Sequence, residues 1–209
     1  MSSTEKNQSC ALIFCSAQHL DVAHALALTC KQAGLVVHIC QEDQAPSEAM
    51  FQRASQSGQQ PVLVVYGGGT LLHQSAMESR AAHFEATWRS VCLTGAVIGQ
   101  QALAAMLPAA GGTVIFLGHV SATERLPGAA AYGAASAGLR SYAQSMAREF
   151  GPKGLHVAHV LLHGDMLGQG RPLASDIAAA CWHLHQQHPS TWTHELDLRP
   201  SLITQQTSA

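Results

Sequence analysis

Ala143-Gln144-Ser145-Met146-Ala147-Arg148-Glu149-Phe150-Gly151-Pro152-Lys153-Gly154-Leu155-His156-Val157-Ala158-His159-Val160 changes periodicity in mid-course. Its first half continues a helical pattern of small and apolar residues that begins upstream, which predicts a helix over Ala130–Phe150. Gly151 to Gly154 breaks that helix, because Pro152 has no N–H to continue the ladder. Leu155–Leu162 is then a run of apolar residues and histidines, the form of a strand covered on both faces.

The same alternation extends outward. Strands are expected over 11–15, 35–40, 61–66, 112–118 and 194–198. Helices are expected over 21–33, 46–56, 78–86, 87–107 and 175–188, with Gly34 closing the first and Pro108 stopping the fourth. Strands that alternate with helices of this length imply an α/β chain with a doubly wound, Rossmann-like parallel sheet. The whole of 1–209 reads as one such domain, with polar termini at 1–9 and 201–209.

Composition narrows the partners. The formal charge of −2 gives no basic field for nucleic acid. Charged residues are only 11 % against 47 % apolar ones, which suits a chain that hides surface in a homo-oligomer, or one with a neutral Gln- and Ser-rich exterior. The start carries no hydrophobic signal core, and the six cysteines form no C-x-x-C pair, so a reducing, cytoplasmic setting is expected. Residues 91–107 are the most apolar stretch, but Gln100 and Gln101 interrupt it, and a buried helix rather than a membrane span is expected. Cys181, His185 and His188 share a helical face with metal-ligand spacing. A helix-borne pair needs a further ligand from elsewhere, and helix packing and hydrogen bonding explain these residues better, so no metal site is assigned.

Tyr132 opens the helix of small residues Ala130-Ala131-Tyr132-Gly133-Ala134-Ala135-Ser136-Ala137-Gly138-Leu139. This stretch, with Gly111-Gly112-Thr113-Val114-Ile115-Phe116, the 143–160 segment and Trp192-Thr193-His194-Glu195-Leu196-Asp197-Leu198-Arg199-Pro200, resembles the short-chain dehydrogenase/reductase (SDR) superfamily, a bacterial oxidoreductase branch in particular. The resemblance runs from about Cys10 to Pro200. It implies a Rossmann-like fold, NAD(P) as cofactor, and a Tyr-x-x-x-Lys pair whose ammonium draws a phenol down from an ordinary pKa of about 10. It also implies a homodimer through the two long helices.

Measured against that pattern, Ser136 stands where the lysine would be, and the catalytic serine position, thirteen residues before Tyr132, holds His119. Ser121 lies two positions late, and Cys92 falls near the active-site asparagine. The glycine-rich turn for the pyrophosphate becomes Phe14-Cys15-Ser16-Ala17-Gln18-His19-Leu20-Asp21, without a glycine. Gly68 and Gly164 match cofactor-side glycines, with Tyr66 and His163 replacing their usual neighbours. About twenty residues join Cys40 to Val62, room for one connection, so a sheet of about six strands, one short of the family, is expected. Likewise 165–173 is a short link where the family carries a substrate lid.

Three readings follow. One is a pseudoenzyme, a binding or structural homologue with an eroded cofactor loop, acting with its own copies or another protein. The second is an active NAD(P)-dependent oxidoreductase that works through Tyr132 and His119. The third is a repurposed enzyme without nicotinamide, built on His119, Tyr132 and Cys92.

Overall fold

The computed structural model describes residues 8–41, 47–109, 111–124, 126–164 and 171–199. Six parallel strands form one sheet: β1 (Gln8–Cys15), β2 (Val36–Gln41), β3 (Gln59–Gly67), β4 (Gly112–His119), β5 (Leu155–Leu162) and β6 (Glu195–Leu198), in the order β2-β1-β3-β4-β5-β6. The expected shortening is present. Among the described residues no strand lies between Gln41 and Gln59, and helix α2 (Ser47–Gln56) makes that connection.

Helices cover both faces because the strands are apolar on both. On one side α1 (Leu20–Gln32) and α6 (Ala174–Gln186) pack against Ile13, Val65, Ile115 and Val160. On the other, α2, α4 (Thr94–Met106) and α5 (Ala130–Phe150) pack against Leu12, Val64, Phe116 and Val157. The helices α5 and strand β5 carry the bounds read from sequence. Residues Glu78 and Ser79 lie in a turn closed on the Ser75 carbonyl, so α3 starts later than expected, at Ala81, and runs to Trp88.

The two helices expected over 78–107 are one continuous rod. A π-helical turn, Arg89–Leu93, joins α3 to α4. By length and composition the stretch Ala81–Ala109 could cross a bilayer, with a mean hydropathy of 1.5. Here Ile98, Ala102 and Met106 are buried in the core beside β3 and β4, so it serves as a core helix.

The chain order reverses at β1, which has β2 on one side and β3 on the other. In open α/β sheets the crevice beyond the strand ends at such a switch point is where ligands settle. Here Cys15 and Gly67 end the two strands that flank it.

Candidate functional site

The crevice is built from four strand ends. After β1 the chain turns through Ser16 and a 3-10 turn, Ala17–His19, into α1. His19 is buried and its Nδ1–H donates to the Gly67 carbonyl at 3.0 Å, tying the β1 exit to the β3 exit. Burial, helped by the nearby Arg171 charge, lowers its pKa to about 4, so the ring is neutral near pH 7.

Arg171 arrives from the far side of the crevice. Its Nη1 donates to the Gln18 carbonyl at 3.0 Å, and its Nη2 lies 2.8 Å from both carboxylate oxygens of Asp21. Asp21 Oδ1 also accepts the Val22 N–H at 2.8 Å, in the first turn of α1. Burial alone would raise the Asp21 carboxyl; the Arg171 hydrogen bonds and charge, with the Val22 N–H, hold it below its ordinary value. Gly164 makes the approach possible. Its φ of 149° suits glycine, and a Cβ there would press on Arg171 Cβ at 3.1 Å. Gly68 lies buried just beyond β3, and Leu71 N–H donates to Gln18 Oε1, so the β3 exit also packs onto this network.

The His119–Tyr132 side of the crevice lies at the end of β4. His119 and Tyr132 meet edge to face, ring centroids 5.9 Å apart and both nearly buried. His119 Nδ1 accepts the Ser121 N–H at 3.1 Å, and the ring also hydrogen-bonds the Gly164 carbonyl, so the proton sits on Nε2. Burial first, with the neighbouring His163 charge, lowers its pKa below the usual imidazole value. His119 is therefore a neutral clamp between the β4 and β5 exits. Ser121 Oγ is buried without a hydrogen-bond partner. Ser136 is 1 % exposed, and its hydroxyl too has none.

Other candidate residues serve packing. Tyr66 is fully buried and its hydroxyl donates to the Ser90 carbonyl in the π turn. Cys92 lies against Gly138 of α5, and burial raises its thiol pKa, away from nucleophile chemistry. Cys181, His185 and His188 do not converge. Cys181 is buried with its pKa pushed up to about 12. His185 pairs with Thr113 Oγ1 at 2.9 Å, and His188 caps the turn at Ser190. No metal-capable cluster exists among the described residues. His163, in the position of a cofactor-side proline, stands 2.8 Å from Asp197 Oδ1. Residues 165–170 of the expected short link lie outside the described residues.

A cavity of about 550 Å³ follows the Ala130, Gly133, Ala134 and Ala137 side of α5, with Ser121 and Glu124 also in its lining. Arg171 was missed in the sequence, since nothing local to it points to a partner 150 positions away.

The family model described as enoyl-(acyl carrier protein) reductase matches residues 5–163. A search of curated proteins found no significant match. Among solved structures, a short-chain dehydrogenase from Rhodopseudomonas palustris is 25 % identical, with a TM-score of 0.74 over 94 % of this chain and 100 % of that one. An oxidoreductase from Brucella ovis, solved with a partially ordered NAD, is 16 % identical with a TM-score of 0.76, over 93 % of this chain and 100 % of that one. An acetoin dehydrogenase from Salmonella typhimurium is 17 % identical with a TM-score of 0.76, over 94 % and 98 %. The matched family model spans most of the crevice just described, and the sheet order agrees with it: the chain belongs to the short-chain dehydrogenase/reductase superfamily.

Proposed function

We propose that this SDR-family chain is a binding or structural homologue, a pseudoenzyme in which nicotinamide-dependent hydride transfer is lost. The observation that carries this reading is Arg171 crossing onto the start of α1, where it pairs with Asp21 and the Gln18 carbonyl. A dinucleotide fold needs bare glycine backbone there to approach a pyrophosphate. This chain has instead two ion-paired side chains and a buried His19 in the same place. The residues do not fit NAD(P). A neutral, buried Ser136 one turn after Tyr132 adds to the reading, because no ammonium from that position reaches a phenol or a ribose.

Trp88, Trp182 and Trp192 are the tryptophan donors for a fluorescence titration with NADH and NADPH. The expected result is no saturable binding below about millimolar, the range in which a binding free energy falls to about −4 kcal/mol. Micromolar binding together with reduction of a carbonyl substrate would overturn the proposal. A second reading, an active oxidoreductase using Tyr132 and His119, is favoured by the edge-to-face contact of those rings. It requires His119 to release its backbone partners before it can move a proton.

The partner we assign is a second copy. Phe84, Trp88, Leu93 and Val97 are exposed apolar residues on the α3–α4 rod, and the small-residue face of α5 adjoins it through Trp88 and Gly138. The six cysteines are all buried and none is in a disulfide, which supports a cytoplasmic protein.

A further inference from the structure

We propose that the Asp21 carboxylate is a built-in substitute for the anion that this fold takes up at the start of α1, and that Arg171 locks it there. The inference rests on the reading that no dinucleotide occupies the crevice, and it names what takes the place of one.

The donors around Asp21 are of the kind a phosphate oxygen would choose. One is a first-turn backbone N–H, that of Val22, at 2.8 Å from Oδ1. The other is a guanidinium, whose Nη2 reaches both carboxylate oxygens at 2.8 Å. The guanidinium is itself aimed by the Gln18 carbonyl at 3.0 Å from Nη1. The Arg171 side chain is 18 % exposed and that of Asp21 57 %, so the pair lies at the solvent edge of the crevice, with the guanidinium as its inner partner. His19 is neutral and already committed to Gly67, and it adds no charge that would recruit a second anion. A carboxylate held covalently on α1 thus meets the positive helix end and the arginine that would otherwise face a phosphate. It also ties the β1 exit to Arg171, which packs against Gly164.

The test is thermal unfolding of the full chain in inorganic pyrophosphate, with sodium chloride at matched ionic strength as reference. The wild-type midpoint is expected to be the same in both. Asp21→Asn keeps the side chain's size but frees the guanidinium. Its midpoint should fall in chloride and rise by several degrees in millimolar pyrophosphate. Adding Arg171→Gln should abolish that rise. Asp21→Ser, which keeps an oxygen for the Val22 N–H, is run beside it in case the amide disturbs folding, and its expected response has the same sign. A wild-type response as large as that of Asp21→Asn, or a flat response in both Asp21 variants, would overturn the inference and leave the functional reading standing. Saturable NADH binding by the wild-type chain would instead overturn the functional reading, whatever pyrophosphate does.

Discussion

At position 159 a histidine ring lies fully buried on β5, with neither nitrogen hydrogen-bonded. Gly118, two residues beyond the histidine's register partner Phe116 on β4, leaves room for the ring, because a Cβ there would sit 2.3 Å from the ring's Nε2. A buried polar atom left unsatisfied costs about 1–3 kcal/mol, so His159→Leu is expected to raise stability by about 1 kcal/mol in urea unfolding. The same substitution should change the response to acid. Burial lowers the His159 pKa to about 4, whereas an unfolded histidine titrates near 6.5. Below pH 6.5 the unfolded chain binds protons that the folded chain refuses. Stability is therefore full above 6.5 and is lost as pH falls toward 4. His19, also lowered to about 4, contributes with the same sign. Urea midpoints followed across that window should fall less steeply in His159→Leu than in the wild type; parallel curves would count against the assignment.

The same residue scale explains what could be read from sequence at the site and what could not. The family resemblance, which puts His119 at the serine position thirteen residues before Tyr132, placed the two in one cleft. The engagement of the His119 ring by Ser121 N–H and the Gly164 carbonyl was hidden, because a hydrogen bond to backbone leaves no trace in residue identity. Arg171 was hidden for a different reason. Its partner is fixed by how two distant crossovers end over one crevice.

Among the elements, the join between α3 and α4 shows the limit of periodicity. Apolar spacing marks helix on both sides of Trp88, but a π turn shifts the register without a breaker residue, so a split was expected where the backbone continues. Side chains add hydrogen bonds to the carbonyls of the widened turn, that of Arg89 also accepting the Thr94 N–H. Tyr66 donates to Ser90, and Thr94 Oγ1 donates to the Arg89 carbonyl at 2.9 Å. Tyr66→Phe removes the first of these while it preserves ring packing on Phe116. It is expected to lower stability by about 1 kcal/mol in urea unfolding. No change would mean that the Ser90 carbonyl finds another donor. Helix α5 and strand β5, by contrast, were legible to the residue, since Gly151 and Pro152 punctuate the change from one period to the other.

For the whole molecule, the parallel sheet followed from the alternation of elements, and its shortening from the length of the Cys40–Val62 connection set against the family that the chain resembles. Association does not follow so directly, because an exposed apolar face looks the same in sequence as a buried one. The second copy proposed for the α3–α4 rod should give a sedimentation mass about twice 22.0 kDa at tens of micromolar. Val97→Glu, at a site 37 % exposed, should give a folded monomer. A wild-type monomer at that concentration would remove the proposal.

The bridge from Arg171 to Asp21 spans 150 positions of sequence. A protein stabilised by a dissociable ligand gains free energy only in proportion to the logarithm of the free ligand concentration, so its lifetime follows supply. A partner carried on the same chain is never diluted, because its effective concentration is set by tether geometry. The fold of this chain should therefore keep the same stability whether nucleotide pools are full or exhausted, and its abundance in a starved cell should follow synthesis and proteolysis alone.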